Sequence, residues 1–528
     1  MKKRWFLLAL PAALAAGLMV GVPFLDREAV IARPLDGRSA LAPSWDAAFL
    51  PAPVAGSVAP VQGLAAVGSA TMHGDGWQSD THPVAGPFGG AVEVRSRRAG
   101  GKLQRQCATF LFRRDGNIFA MCGGLFGFRI VLIDPANLRA LATYDLPMRP
   151  SAFQTIIHRD PDITSSDSSG GAYMVLDDKD RLVLGDSRQQ VRVLEAAKSG
   201  SAWSVRSTRA WNLRPYIPHD CQNYDNWFTN GPCDMLTSVV PGPGGLYWWT
   251  TRFGRVGTLD PRTGKVSRTL LKQEEIQNAV AQEDGAIYIL SDHALYAFEA
   301  ASDGAPRLRW REAYDRGSAR KTGSINQGSG TTPTLVGRDY IAIADNADER
   351  INLVVLRRGA IPEGAKRLVC SIPMFAKGAS ATDNSMVGFG RSVVVENNSG
   401  YTNARSHKDY RTVAGGVSRF DIRDDGSGCD LVWTSPLKVP SVVAKLATRS
   451  GILWYLGMEG VRKPDTGKPD DQLWSLAGLD FVTGREVARI PLGTGNNWNN
   501  NWSALALGPD DSIYAGTSRG FVQVRKTR

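Results

Sequence analysis

From Cys107 onward apolar and polar positions exchange every second residue over short runs, and the runs are separated by Asp-Gly, Pro-Gly or Asn-containing turns. A period of two predicts β-strands, and the turns predict tight antiparallel connections. One unit recurs: an apolar strand, a turn, a second strand such as NIFAM or AIYIL, a short loop, a third strand ending near Asp, a turn and a fourth strand. Its second and third strands stand out in NIFAMCGGLFGFRIVLIDP, RLVLGDSRQQVRVLE, GLYWWTTRFGRVGTLDP, AIYILSDHALYAFEA and YIAIADNADERINLVVL. They recur in SVVVENNSGY with GGVSRFDI, in ILWYLGMEG with QLWSLAGLD, and in SIYAGTSRGFVQV, which makes eight copies. Their spacing, about forty to sixty-five residues, suits propeller blades carrying insertions.

The last unit supplies only three strands, while AVEVRSR at residues 91–97 is a strand without a unit upstream of the first. A ring that borrows this strand to complete its last blade leaves no open sheet edge. The pattern therefore predicts an all-β fold, an eight-bladed β-propeller of four-stranded antiparallel blades closed by an N-terminal strand. A seven-bladed ring and two separate β domains are the alternatives. The glycine content (56), the fourteen tryptophans and the scarcity of helical periodicity agree with this class.

TLDPRTGKVSRTL, GLDFVTGREVARI, LYAFEAASDGAPRLRWR and RFDIRDDGSGCDLVWTS resemble the repeats of the pyrroloquinoline-quinone-like propellers, the quinoprotein alcohol dehydrogenase-like superfamily. The tryptophan that closes that repeat is matched by Trp310 and Trp433 and is missing from the two Thr-Gly copies. The resemblance covers most of residues 107–528 as architecture. It implies one of three roles. Quinone-dependent dehydrogenases hold pyrroloquinoline quinone and calcium at the channel mouth, with an adjacent cysteine pair against the ring; no two cysteines are adjacent in this chain. Cofactor-free members act as scaffolds or binding platforms in the cell envelope. Other propellers use a channel calcium held by Asn and Glu for lactone or ester hydrolysis, a likeness of site type only.

Upstream of the repeats, Lys2, Lys3 and Arg4 precede an apolar run from Trp5 to Leu25. Residues 1–25 are expected to be a signal peptide, with Ala13-Leu14-Ala15 as the cleavage candidate, or an N-terminal membrane anchor. Either way the remainder is expected on the periplasmic or extracellular side. Residues 26–70, rich in Ala and Pro, are expected to be a linker to a propeller domain at 71–528. Six cysteines in an exported chain suggest disulfides. Cys107 and Cys122 flank the turn at 113–116 symmetrically, Cys221 and Cys233 would close one loop, and Cys370 and Cys429 remain. The net charge of +11 is dispersed, with no basic block after residue 4, so a nucleic-acid partner is not expected.

Consecutive strands reverse direction, so the loop between strands two and three of a blade and the loop leading into the next blade's inner strand share one face. On that face fall GSINQGSGTTPT, ASATDNSMV and GTGNNWNNNWSA, together with IADNADER, VVENNSGYTN and YLGMEG. Amides beside aromatic rings suit a small polar ligand, which makes Asn326, Asn346, Asn384, Glu459, Asn497, Trp498, Asn501 and Trp502 ligand candidates. Asp345, Glu396 and Asn397 offer the hard oxygens calcium prefers. The competing explanation is that Asn and Asp serve loops by bonding their own backbone. His73, Asp75, Asp80 and His82 form the one dense His and Asp constellation, suited to acid–base work or metal ligation, or else simply part of a segment strapped across one face. His158 and His293 are expected to be structural. The functional expectation is an exported, membrane-tethered propeller binding a small polar ligand or an envelope protein, with a quinone-dependent oxidoreductase or a calcium-dependent hydrolase as the alternative.

Overall fold

The computed structural model describes residues 42–98, 104–124, 127–152, 155, 167–217, 234–325, 327–361, 363–402, 410–462, 469–518 and 520–527. Residues 1–25, Asn326, His158, Cys221 and Cys233 therefore lie outside the described residues. The strands form eight sheets, each containing a four-stranded antiparallel blade. In chain order the blades span 104–145, 175–212, 236–270, 281–313, 334–373, 387–435, 445–494 and, last, 505–526. Val92–Arg97 completes blade eight by pairing with its outer strand, from Val92 opposite Lys526 to Arg97 opposite Phe521. The expected closure is thus realised, and the eight-bladed ring stands over the seven-bladed one.

Burial explains why the second strands are so uniformly apolar. Ala286–Leu290 and Leu246–Thr251 are buried at every position because adjoining blades cover both faces of each sheet. The fourth strands lie at the rim and expose much of their length, as in Pro306–Ala313 and Val266–Leu270.

Two of the expected disulfides form. Symmetry about the turn at 113–116 set Cys107 opposite Cys122, but the hairpin is offset by one: Phe112 pairs with Ile118 and Thr109 with Met121. A bulge at Ala108 absorbs the offset and brings the two cysteines back opposite each other, where they are bonded. Cys370 and Cys429 link the fourth strands of blades five and six.

The N-terminal segment departs most from expectation. Ser44–Trp45 already pairs with the outer strand of blade seven, so the chain joins the propeller well before residue 70. Residues 61–85 then run inside the ring rather than across a face. Leu176 of blade two donates to Ala70 O (2.8 Å), Gln282 of blade four to Gly76 O (2.7 Å) and Leu335 of blade five to Trp77 O (2.9 Å). Gly388 of blade six donates to Ser79 O (3.0 Å), and in blade seven Leu446 and Thr448 donate to Asp80 O and His82 O (2.9 and 3.0 Å). Each innermost strand would otherwise turn an unpaired edge toward the channel, and the segment satisfies those groups one blade after another. Among the described residues no helix is long and apolar enough to cross a membrane.

Candidate functional site

At the channel mouth a cavity of about 80 Å³ opens among the loops that lead into the inner strands. Its walls come from the lead-in loops of blades two (Ser168, Tyr173), four (Gln277, Asn278), five (Ser329, Gly330, Thr332), six (Asp383, Asn384, Ser385), seven (Val443) and eight (Trp502). Met72 and His73 of the channel segment close it from within. The loops between strands two and three stand further out and act as buttresses. Asn346 Nδ2 donates to Arg316 O and Ala319 O (2.9 and 3.0 Å), Asn397 Nδ2 to Ala379 O and Gly415 O (2.8 and 2.9 Å), and Asn398 Oδ1 accepts from Asp383 N at 2.9 Å. The cavity thus lies on the face inferred from strand reversal, with the lead-in loops forming its inner wall.

Of the ligand candidates, Asn384 and Trp502 reach the cavity. Asn384 Nδ2 is bonded to Val442 O at 2.6 Å, stitching blade six to blade seven. Trp502 sits at φ 64°, a left-handed conformation that a bulky residue rarely adopts. Its ring meets Tyr401 edge-on at 5.4 Å. The rest of the asparagine run holds its own loop: Asn499 Oδ1 accepts from Tyr401 Oη (3.0 Å) and Asn501 N (3.0 Å), and Asn500 Nδ2 donates to Gly516 O (3.1 Å). Asn501 Nδ2 reaches Gln106 of blade one at 3.2 Å. Asn497 is exposed, Trp498 packs into the hydrophobic core, and Glu459 pairs with Arg489 at 2.8 Å, all away from the cavity.

The calcium candidates do not converge. Asp345 accepts from Ala347 N and from the Asn352 main chain and side chain, Asn397 is committed to its loops, and Glu396 is buried beside Asn384. Among the described residues no three His, Cys, Asp or Glu side chains are placed to hold a metal ion.

The His and Asp constellation lies within the channel, and only His73 touches the cavity. Asp80 pairs with Lys445 Nζ, which also donates to Met72 O at 2.7 Å. Asp80 accepts as well from Ser385 Oγ, and its carboxylate lies 3.1 Å from His73 Nδ1. Burial opposes the Asp80 charge, but Lys445 and His73 outweigh it and hold the carboxyl below its usual range. Asp75, tied to Ser79 Oγ (2.5 Å) and Trp77 N (2.8 Å), makes no ion pair among the described residues, and burial lifts it to about 7. Burial likewise lifts Glu396 to about 8 and depresses His82 to about 3.

Ser385 Oγ and Asp80 both meet the same ring nitrogen of His73, 2.7 Å separating Ser385 from Nδ1, while Nε2 faces Thr332 Oγ1 at 3.3 Å. A nucleophile–base–acid relay needs the serine and the carboxylate on opposite nitrogens, so this cluster is not one.

Sequence reasoning missed Asp383, Gln277, Tyr173 and Lys445. Asp383 adjoins Asn384, and Gln277 occupies a lead-in loop at the position that had singled out its counterparts. Lys445 is a lone charge in the apolar strand VVAKLAT, on the edge that faces the channel. Burial raises Asp383 to about 7, against the pull of the Ile325 main-chain N–H and Arg320. A Cβ on Gly330 would fall 1.8 Å from Asp383 Oδ1. Gly330→Ala must therefore push the carboxylate aside, with an expected destabilisation of about 1–3 kcal/mol in urea unfolding; an unchanged midpoint would mean that the two loops are not in contact.

No family model matches the chain. An uncharacterised protein of Archaeoglobus fulgidus is 27% identical over 315 residues, which cover 53% of this chain and 59% of that protein. The match thus spans less than two thirds of the relative's length. Among solved structures, the computationally designed Ika8 protein aligns over 80% of this chain and 97% of its own at 12% identity, TM-score 0.43. The WD40 repeats of RRP9 align over 78% and 99% at 11% identity, TM-score 0.39. The WD40 domain of Toxoplasma gondii coronin aligns over 83% and 94% at 9% identity, TM-score 0.36. The propeller is established by its own sheets, and membership of the quinone-type family is not shown.

Proposed function

We propose that this chain is an exported, membrane-tethered binding propeller that takes a small polar ligand, or one polar group of a larger envelope partner, into the lead-in-loop cavity. The observation that carries this is Trp502: a bulky residue held at positive φ, braced by Tyr401, and lining a cavity whose wall combines amides, hydroxyls and a carboxylate with the apolar side chains of Met72, Ile325 and Val443. Strain of this kind, on the order of 1–3 kcal/mol, persists only where surrounding contacts over-determine it. Export is supported by the basic and apolar pattern of residues 1–25 and by the two disulfides. The repeat resemblance is most consistent with the cofactor-free binding platforms of the pyrroloquinoline-quinone-like propellers, since the chain has no adjacent cysteine pair and its calcium candidates among the described residues do not converge.

Titration calorimetry of the wild type and Trp502→Ala against small sugars, polyols, amines and acids tests the site. At least one class is expected to bind and to weaken tenfold or more in the variant, with the fold retained by circular dichroism. Binding indifferent to Trp502→Ala would place the site elsewhere. Removing residues 1–25 is expected to move the protein from the membrane to the soluble fraction.

A further inference from the structure

The hydrogen-bonding groups of the cavity are unevenly distributed. Gln277 Nε2 donates to Glu275 at 2.7 Å, Asn278 Nδ2 to Thr331 O at 3.1 Å and Asn384 Nδ2 to Val442 O at 2.6 Å. In each amide the partner is an acceptor, which fixes the orientation of the group: the NH₂ end is turned into the wall. Among the described residues two acceptors remain without donors, Gln277 Oε1 and Asp383 Oδ1, both buried atoms of residues that line the cavity. Gln277 is only 8% exposed. Buried polar atoms are nearly always partnered, and leaving one unpartnered costs about 1–3 kcal/mol. No ion pair to Asp383 forms among the described residues. Arg320, whose charge acts on it, donates instead to Ile325 O at 3.1 Å. Tyr173 and Trp502 line the same cavity.

Unfilled acceptors, one of them a carboxylate, beside aromatic rings call for a ligand that donates several hydrogen bonds and carries positive charge. We propose that the cavity binds a primary ammonium group, with Asp383 Oδ1 and Gln277 Oε1 accepting its N–H bonds and the Trp502 and Tyr173 rings covering the attached carbon chain. This rests on the reading of the cavity as the ligand site. An ammonium supplies three donors and cancels the carboxylate charge, whereas a neutral hydroxyl supplies one donor and leaves the charge unmatched. The rings contribute apolar contact and cation–π attraction. The groups facing Asp383 are Arg320 from the preceding loop, Tyr173 across the mouth and His73 below. Since burial lifts Asp383 to about 7, the carboxylate is mostly ionised only above that pH, and ammonium affinity should rise between pH 6 and pH 8.

The similarly sized probes propylamine, 1-propanol and propionate, titrated calorimetrically into the full chain at pH 6 and pH 8, provide the test. At pH 8 propylamine is expected to bind at least tenfold tighter than 1-propanol, and propionate weakest. The amine preference should vanish in Asp383→Asn, shrink in Gln277→Leu, and fall several-fold at pH 6. If Asp383→Asn does not fold, Gln277→Leu and the pH comparison carry the test. Equal binding of amine and alcohol, both weakened by Trp502→Ala, would overturn the ammonium while leaving the pocket standing. Binding of none of the three at millimolar concentration would overturn the ammonium, and a wider panel that also fails would remove the pocket with it.

Discussion

Replacing Lys445 by methionine is expected to destabilise the protein by about 3–5 kcal/mol at neutral pH. Lys445 is fully buried, and its ammonium is the cation that pairs with Asp80 at the centre of the ring. Methionine matches the length of the stem but leaves a buried carboxylate with only His73 and Ser385 beside it. It also removes the donor to Met72 O, through which blade seven grips the channel segment. The double variant Lys445→Met/Asp80→Asn removes both charges and should recover a large part of the loss, because breaking a buried pair is far more damaging than replacing it. Denaturant midpoints for the four proteins of the cycle decide the matter. Additive losses would show that the two side chains do not interact.

Stability is expected to fall as pH rises from 5 to 8, by a net amount on the order of 5 kcal/mol; each group contributes about 1.4 kcal/mol for every pH unit over which the folded and unfolded chains differ by one bound proton. Asp75 and Asp383 at about 7 and Glu396 at about 8 hold their protons more tightly folded than unfolded. Their contribution is complete below the ordinary carboxyl range and is lost as pH climbs to those values. His82, depressed to about 3, acts in the opposite sense: its contribution is complete above 6.5 and is lost as pH falls. Three acids outweigh one histidine up to pH 6.5, and above it the histidine no longer opposes them. Asp80, held below its usual range, adds a loss only in stronger acid. Glu396→Gln should flatten the curve between pH 7 and 8. A flat or rising urea midpoint from pH 5 to 8 in the wild type would contradict these assignments.

The ring was legible in the sequence because its cause is local. A strand covered on both faces needs a continuous apolar run such as AIYIL, and eight such runs at blade spacing, with one strand left over at residues 91–97, leave few other closures. The site was legible only as a face. Strand reversal sorts loops onto one side or the other, but it does not say which side chains turn inward. The asparagines of GTGNNWNNNWSA mostly bind their own loop and its neighbours, and of that run only Trp502 reaches the cavity. The channel segment escaped detection for a different reason. MHGDGWQSDTHPVAGP has no strand period, since it meets successive blades by single hydrogen bonds, and its buried acids and histidines look polar until Lys445 and Ser385 are brought beside them.

That the chain fills its own channel, and so makes the mouth a closed-bottomed pocket, is tested most directly by amide hydrogen exchange over residues 73–82 in the native protein. If these residues lie buried against blades four to seven, the Asp80 N–H, bonded to His73 O at 2.9 Å, and those of Leu335, Gly388 and Leu446 should exchange as slowly as the inner strands themselves. Exchange of this stretch at the rate of an exposed linker, with the inner strands still protected, would contradict it.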